Sequence, residues 1–459
     1  MELPFEYLLC CFLGLAASLM YILSSRFIRA DGRSPPLPPG SYGWPVIGET
    51  VEARNLYRSG RPQEFVQTRM SKHNKDVFKT SLLGQKTIVF CGAAGHKLLF
   101  TSEKQWVITC WPQILSKLFG DSFLTAPYDE AIRTRKIVTG FLKKDLLPEL
   151  VQRFDKVCKK RIKEDWVGND DQNWQSKLLE EFNILLDGVF RLPIYFPGTK
   201  HYKAVKSSEL IRRELIKLIE VKRSTKRNSS ERVEEQDLIS YLIDATDEDG
   251  TSLTDKEIAN NVITLIDGGH DTSSSTMMLV IKYLAENPEC YRRVHEEQTE
   301  IAMLKGPGEL LNKDDLQKMK YSWTVVSEVL RLWPPVQGTF RKAMVDFTYA
   351  GFSIPKGWQI WWNPHSTHMN EEYFPNPHKF DPSRFERGTP APYAYVPFGG
   401  GPRMCPGRDF AKVEILVFLH NLVRQFRWKL VFPDEKIGLD PLPVSAKGLP
   451  IYLYPHTHP

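Results

Sequence analysis

The hydrophobic pattern opens with nineteen residues free of charge, Tyr7 to Ser25 (YLLCCFLGLAASLMYILSS). At a helical rise of about 1.5 Å per residue, this run is about long enough to cross a bilayer core of roughly 30 Å. Glu2 and Glu6 precede it, and Arg26, Arg29 and Arg33 follow it. It is long for the apolar core of a signal peptide, and the basic flank places the following chain on the cytosolic side. We therefore expect an uncleaved single-pass anchor, a transmembrane helix within residues 1–30. That orientation keeps the formal glycosylation acceptor Asn228-Ser229-Ser230 out of the lumen. Next, Pro35–Pro45 (PPLPPGSYGWP) fixes φ and removes backbone donors, so 31–50 is expected to be a proline-rich hinge.

Beyond the hinge the period changes. Val77–Phe90 (VFKTSLLGQKTIVF) reads as two β-rich runs forming a hairpin around Gly84. Most of 130–335 has helical periodicity, as in Asp255 to Ala285, which Thr254 caps and Gly268-Gly269 interrupts. Val221–Asp237 and Lys305–Glu309 read as solvated loops. From Tyr349 short strands and turns follow, including Pro355-Lys356-Gly357, before a last helix at Asp409–Phe426. The expected fold class is mainly α with a minor β part. A length of 459 residues suggests about three domains. No repeat or composition shift marks an internal boundary, however, so 51–459 is expected to be one domain.

Composition narrows the function. Hydrophobic residues make 42%, charged 25% and aromatic 12%, which excludes a disordered, collagenous or polytopic membrane chain. A net charge of +6, from 61 basic and 55 acidic residues, is too slight over this length to indicate nucleic acid. Seven cysteines are too few and scattered for a disulfide framework and point to a reducing compartment. No Cys-x-x-Cys or His-Glu-x-x-His zinc pattern occurs, nor a dinucleotide fingerprint or P-loop. NADPH is therefore expected to bind a partner.

Cys405 has chemistry around it. It lies in FGGGPRMCPG, Phe398 to Gly407, just ahead of a helix starting near Arg408. Free N–H groups and the dipole at a helix start stabilise a thiolate. Pro406 suits the first helical turn, the three glycines permit close approach of a flat ligand, and Arg403 supplies a cation. This combination suits a thiolate that coordinates a metal.

FGGGPRMCPG resembles the haem-binding loop of the cytochrome P-450 superfamily, F-x-x-G-x-R-x-C-x-G, at every fixed position. Other blocks agree in order and distance. Glu328 and Arg331 in SEVLRLWPP match the E-x-x-R pair, and Arg384 in FDPSRF matches the arginine completing a buried Glu–Arg–Arg network. Gly268-Gly269-His270-Asp271-Thr272-Ser273 matches the oxygen-activation stretch. The resemblance implies the cytochrome P-450 fold, with haem b between a helix-rich bundle and small sheets. It implies Cys405 as the axial thiolate ligand of the iron, with Gly407 in the same cofactor loop and Phe398 on the thiolate side. It further implies Arg403, Arg341 and Arg135 at the haem propionates, and Thr272 and Asp271 as proton deliverers to dioxygen. The glycines before Asp271 are expected to open the helix beside the distal pocket. Glu328, Arg331 and Arg384 are implied to be structural.

LPPGSYGWPVIGET, FRKAMVDFTYAGFSIPKGW, STHMNEEYF and DPLPVSAKGLPIYLYP resemble plant terpenoid oxidases of the beta-amyrin 28-oxidase type. Taxane hydroxylases share fewer phrases. The resemblance implies oxygen insertion into a C–H bond of a pentacyclic triterpene, on the endoplasmic reticulum membrane. The oxidant is O2, and an NADPH-cytochrome reductase supplies electrons near Cys405. Alternatives are a taxane-like diterpenoid or sterol hydroxylase, or a truncated, non-functional haem-binding variant; an isomerase or dehydratase fits less, because Asp271 and Thr272 are both present. Two departures stand out. Asp267 replaces a usually apolar residue and is read as a solvated acid facing away from the haem, the alternative being added charge near the distal pocket. Between Trp166 and Phe182, near 167–181, about 20 residues of helix are missing relative to the family, which should expose apolar faces of neighbouring helices.

Overall fold

The computed structural model describes residues 35–45, 47–142, 147–164, 173–189, 195–228 and 237–456, with Gly14 alone from the first 34. The expected anchor lies outside the described residues, as do 165–172 within the expected gap. No helix among the described residues is long and apolar enough to cross a membrane.

Helices dominate, and the principal sheet has five short strands in the order Val77–Leu82, Gln85–Phe90, Gln359–Trp362, Phe340–Ala343, Val107–Cys110. The expected hairpin forms with Leu82 opposite Gln85, leaving Leu83 and Gly84 as a two-residue turn. Both adopt positive φ, 52° and 75°, as a tight hairpin turn of this hand requires. Pairing of Val107–Cys110 with Phe340–Ala343 sets Thr109 opposite Arg341, which matters for the site below.

A 32-residue helix, Asp255–Glu286, runs through the molecule. Thr254 and Glu257 form a reciprocal capping box at its start. Contrary to expectation the helix is not interrupted at Gly268-Gly269. A mid-helix glycine costs only about 1 kcal/mol, and packing outweighs it: Leu279, Val280 and Leu284 share a core with Val325, Val326 and Val329 of helix Lys320–Leu332 and with Ile415 and Leu419 of helix Arg408–Gln425. Those two helices carry the Glu-x-x-Arg pair and follow Cys405, so this core fixes the site's parts relative to one another.

Of the loop expected at 221–237, residues 221–228 instead continue helix Lys200–Asn228, and 229–236 lie outside the described residues. Lys222 pairs with Asp237 at 2.6 Å and Arg223 with Asp255 at 2.9 Å, holding this polar turn in helical form. Helix Asn173–Gly188 packs on it so closely that a Cβ on Gly188 would lie 2.1 Å from the Ala204 Cβ. Next to the expected gap, Val157 and Leu179 are exposed, while Phe182, Leu185 and Ile211 are buried together.

Several histidines are buried and kept neutral by desolvation. Burial pushes His96 down to about 4 and His365 and His420 down to about 3. Unfolding releases them to an ordinary value near 6.5. Below that pH the unfolded chain binds more protons, so stability falls as pH falls, by about 1.4 kcal/mol per pH unit for each such histidine. Thermal unfolding midpoints should drop between about pH 7 and about pH 5; a flat profile contradicts neutral burial.

Candidate active site

Cys405 ends a loop clamped to the body of the protein. Gly401 has φ +65°, and a Cβ there would lie 2.0 Å from the Phe100 carbonyl oxygen. On Gly400 it would lie 2.4 Å from the Phe100 ring. This corrects the reading of the three glycines: the close approach at Gly400 and Gly401 is taken by Phe100, and only Gly399 is free of such a clash. The Cys405 N–H donates to the Phe398 carbonyl at 2.9 Å, closing the loop. Phe398 itself packs partly buried against the core of the three helices.

Cys405 is an exposed residue of this loop although much of its surroundings is protein. Burial pushes its thiol up, opposed by the Gly407 N–H and the Arg135 and Arg408 guanidinium groups. Arg135 also donates to the Met404 carbonyl, next to Cys405. Burial, then Arg403, lowers Arg135 to about 10.

Arg341 and Arg403 are brought together with an acid that sequence reasoning missed, Glu103. The Arg341 Nε lies 3.1 Å from Glu103 Oε2, both side chains being 3% exposed. The Thr109 N–H and hydroxyl each donate to Glu103 Oε1 at 2.9 Å. Strand pairing of Thr109 with Arg341 thus presents the acid to the guanidinium. The ion pair is not aligned as a hydrogen bond: Arg341 Nε, Glu103 Oε2 and Arg403 Nη1 are all buried without one. A cavity of about 170 Å³ beside Arg403 is lined by Tyr128, Thr109 and Trp111, whose indole N–H is also unpartnered.

Glu328, Arg331 and Arg384 meet in one ion-pair network. Glu328 and Arg331 are fully buried and paired bidentately, Nε to Oε2 at 2.7 Å and Nη2 to Oε1 at 2.8 Å. Arg384 Nε reaches Glu328 Oε1 at 3.3 Å, and the Asp381 N–H donates to the same oxygen at 2.9 Å. Arg331 Nη1 donates to the His368 carbonyl at 2.7 Å. His368, also missed from sequence, accepts from the Val396 N–H at 2.9 Å. Its Nδ1 therefore carries the proton and donates to the Arg331 carbonyl at 3.1 Å. Tyr395 donates to the Ser327 carbonyl at 3.0 Å. The triad is thus tied to the segment leading into Phe398.

On the long helix Thr272 donates to the Gly268 carbonyl at 2.7 Å, and Asp271 accepts from or pairs with His270 Nδ1 at 2.7 Å. A Cβ on Gly268 or Gly269 would meet nothing within 4 Å. Asp267 is half-buried rather than freely solvated, and burial, then repulsion by Asp271, pushes it up to about 7.

These residues fit a haem. Buried, unspent guanidinium donors suit two propionates, and the thiol beside a backbone N–H and two cations suits a thiolate ligand. The family model for Cytochrome P450 matches residues 163–447. Beta-amyrin 28-monooxygenases of Kalopanax septemlobus and Vitis vinifera are each 44% identical, over 99% and 98% of this chain and 100% and 98% of their own. A beta-amyrin 6-beta-monooxygenase of Solanum lycopersicum is 40% identical over 98% of this chain and 99% of its own. A solved structure of retinoic acid-bound cyanobacterial CYP120A1 is 29% identical, covering 92% of this chain and 100% of that one at TM-score 0.81. The chain belongs to the cytochrome P450 family and is a monooxygenase of the oxidoreductase class. Family membership implies haem with a cysteine thiolate ligand, a redox partner, O2 and a hydrophobic substrate. The Kalopanax alignment runs over 480 positions against 459 residues here, so that relative carries residues this chain lacks.

Proposed function

We propose that this enzyme oxidises a pentacyclic triterpene of the beta-amyrin kind, with Cys405 as the iron ligand. The whole-length likeness to several beta-amyrin 28-monooxygenases carries this reading. Haem b, when bound, supplies the activation of O2 with electrons that a reductase takes from NADPH. The chain's own residues do the rest. The Gly407 N–H, Arg135 and Arg408 hold negative charge on the Cys405 sulfur. Arg403 and Arg341 hold propionates, and Glu103 orients Arg341. Phe398 shields the thiolate side. Thr272 and Asp271 pass protons into the distal cleft, the Thr272 hydroxyl being kept on the helix by the Gly268 carbonyl.

In this reading residues 1–30 anchor the protein in the endoplasmic reticulum membrane, 31–50 form the hinge, and 51–459 are the cytosolic haem domain. Exposed Trp44, Ile47 and Leu83 support a membrane seat close to the hinge. Microsomes containing the full chain and a reductase, incubated with a triterpene panel, should yield an oxidised triterpene that depends on NADPH. Conversion of diterpenes alone overturns the substrate class, and the carbon oxidised separates the 28-type from the 6-beta-type relatives.

A further inference from the structure

Asp267 is a half-buried titratable group that the chemistry above does not use. It stands one helical turn before Asp271, on the same face of Asp255–Glu286. It has no hydrogen bond or ion pair among the described residues. Much of its surroundings is protein, and it keeps part of its surface accessible. The groups around the pair are few. Asp271 is held at 2.7 Å by half-exposed His270 on the same helix. From helix Arg408–Gln425, Glu414 faces His270 and meets Ser273, with its Oε2 buried and unpartnered.

We propose that Asp267 and Asp271 form a carboxyl pair sharing one proton, in which Asp267 stores the proton on the cleft side and is refilled from solvent through His270 and Asp271. Two like charges one turn apart cannot both ionise cheaply when one of them is partly withdrawn from water. The upward shift of Asp267, from burial first and Asp271 second, agrees. In each transfer the Asp267 O–H bond breaks and its proton passes to the Thr272 hydroxyl or an adjacent water. The carboxylate then regains a proton from Asp271, which His270 resupplies. No electrons move in this relay. Insertion of one oxygen atom consumes O2, two electrons from the reductase and two protons from solvent, giving alcohol and water. The proposal rests on the monooxygenase reading and adds one acid to its proton supply.

The stored proton is present below about pH 7 and lost above it. The test uses the full-length holoenzyme, with an intact carbon monoxide band required of every variant. Infrared difference spectra between about pH 6 and about pH 8 should show one protonated-carboxyl band that Asp267→Asn removes. Product formed per NADPH, a ratio free of the reductase's own rate, should fall through neutrality in the wild type. In Asp267→Asn it should be several-fold lower at the acid end and flat with pH, and Asp267→Glu should restore the step. Absence of the band, or an Asp267→Asn profile matching the wild type, overturns the proposal. A wild type that shows the band but oxidises no triterpene instead overturns the substrate reading and leaves the shared proton standing.

Discussion

Replacing Cys405 with alanine is expected to abolish the reduced carbon monoxide band of a thiolate-ligated haem completely, while the protein still folds. The loop does not depend on the sulfur. Its closing bond runs from the residue 405 N–H to the Phe398 carbonyl, and its clamp is the contact of Gly400 and Gly401 with Phe100. Alanine preserves all of these, so the unfolding midpoint without haem should shift by no more than about 1 kcal/mol equivalent. Iron binding must displace the thiol proton, because burial raises this thiol despite the Gly407 N–H, Arg135 and Arg408. Haem capture should therefore strengthen with rising pH in the wild type and lose that dependence in Cys405→Ala. A thiolate-type band retained by the variant removes Cys405 from the ligand position.

What the sequence conveyed well were features that lie within a few residues of one another. Cys405 with its glycines and Arg403, and the Glu328–Arg331 spacing, are local patterns whose geometry the helix or turn dictates. Arg384 was legible only through the family likeness, since it reaches Glu328 from a distant segment. Glu103 and His368 were not legible at all. Glu103 acts on Arg341 because strand pairing sets Thr109 opposite it, and His368 acts through backbone groups of Arg331 and Val396. Neither partner is marked by spacing. The glycine pair misled for a related reason: local propensity argued for a break, but the helix is locked into one core before the glycines, through Ile258, Val262 and Ile263, and into the three-helix core after them, through Leu279, Val280 and Leu284. Asp267 was visible as an oddity, while its burial could be read only once the helix was placed.

Arg331→Ala is expected to be the most damaging single substitution to the fold. Glu328 and Arg331 are both fully buried, and the arginine spends its donors on Glu328 and on the His368 and Lys379 carbonyls. Removing it leaves the Glu328 carboxylate with only Arg384 at 3.3 Å and the Asp381 N–H. Breaking such a pair costs about 3–5 kcal/mol, a large part of the 5–15 kcal/mol by which domains are stable. The damage reaches the haem loop, because His368 loses the guanidinium at its carbonyl while its ring still carries the link to Val396. Haem content should therefore fall, because each loss of about 1.4 kcal/mol lowers the folded-to-unfolded ratio by a factor of about ten and the unfolded chain is cleared. Pairing the change with Glu328→Leu separates charge from shape. The double variant removes the stranded carboxylate, so it should recover part of the denaturant midpoint lost by Arg331→Ala. It should not recover haem content fully, since the His368 carbonyl still lacks its guanidinium donor and the Lys379 carbonyl keeps only Arg384. If Arg331→Ala alone keeps the wild-type midpoint, the buried pair is not what holds these helices to the Cys405 loop.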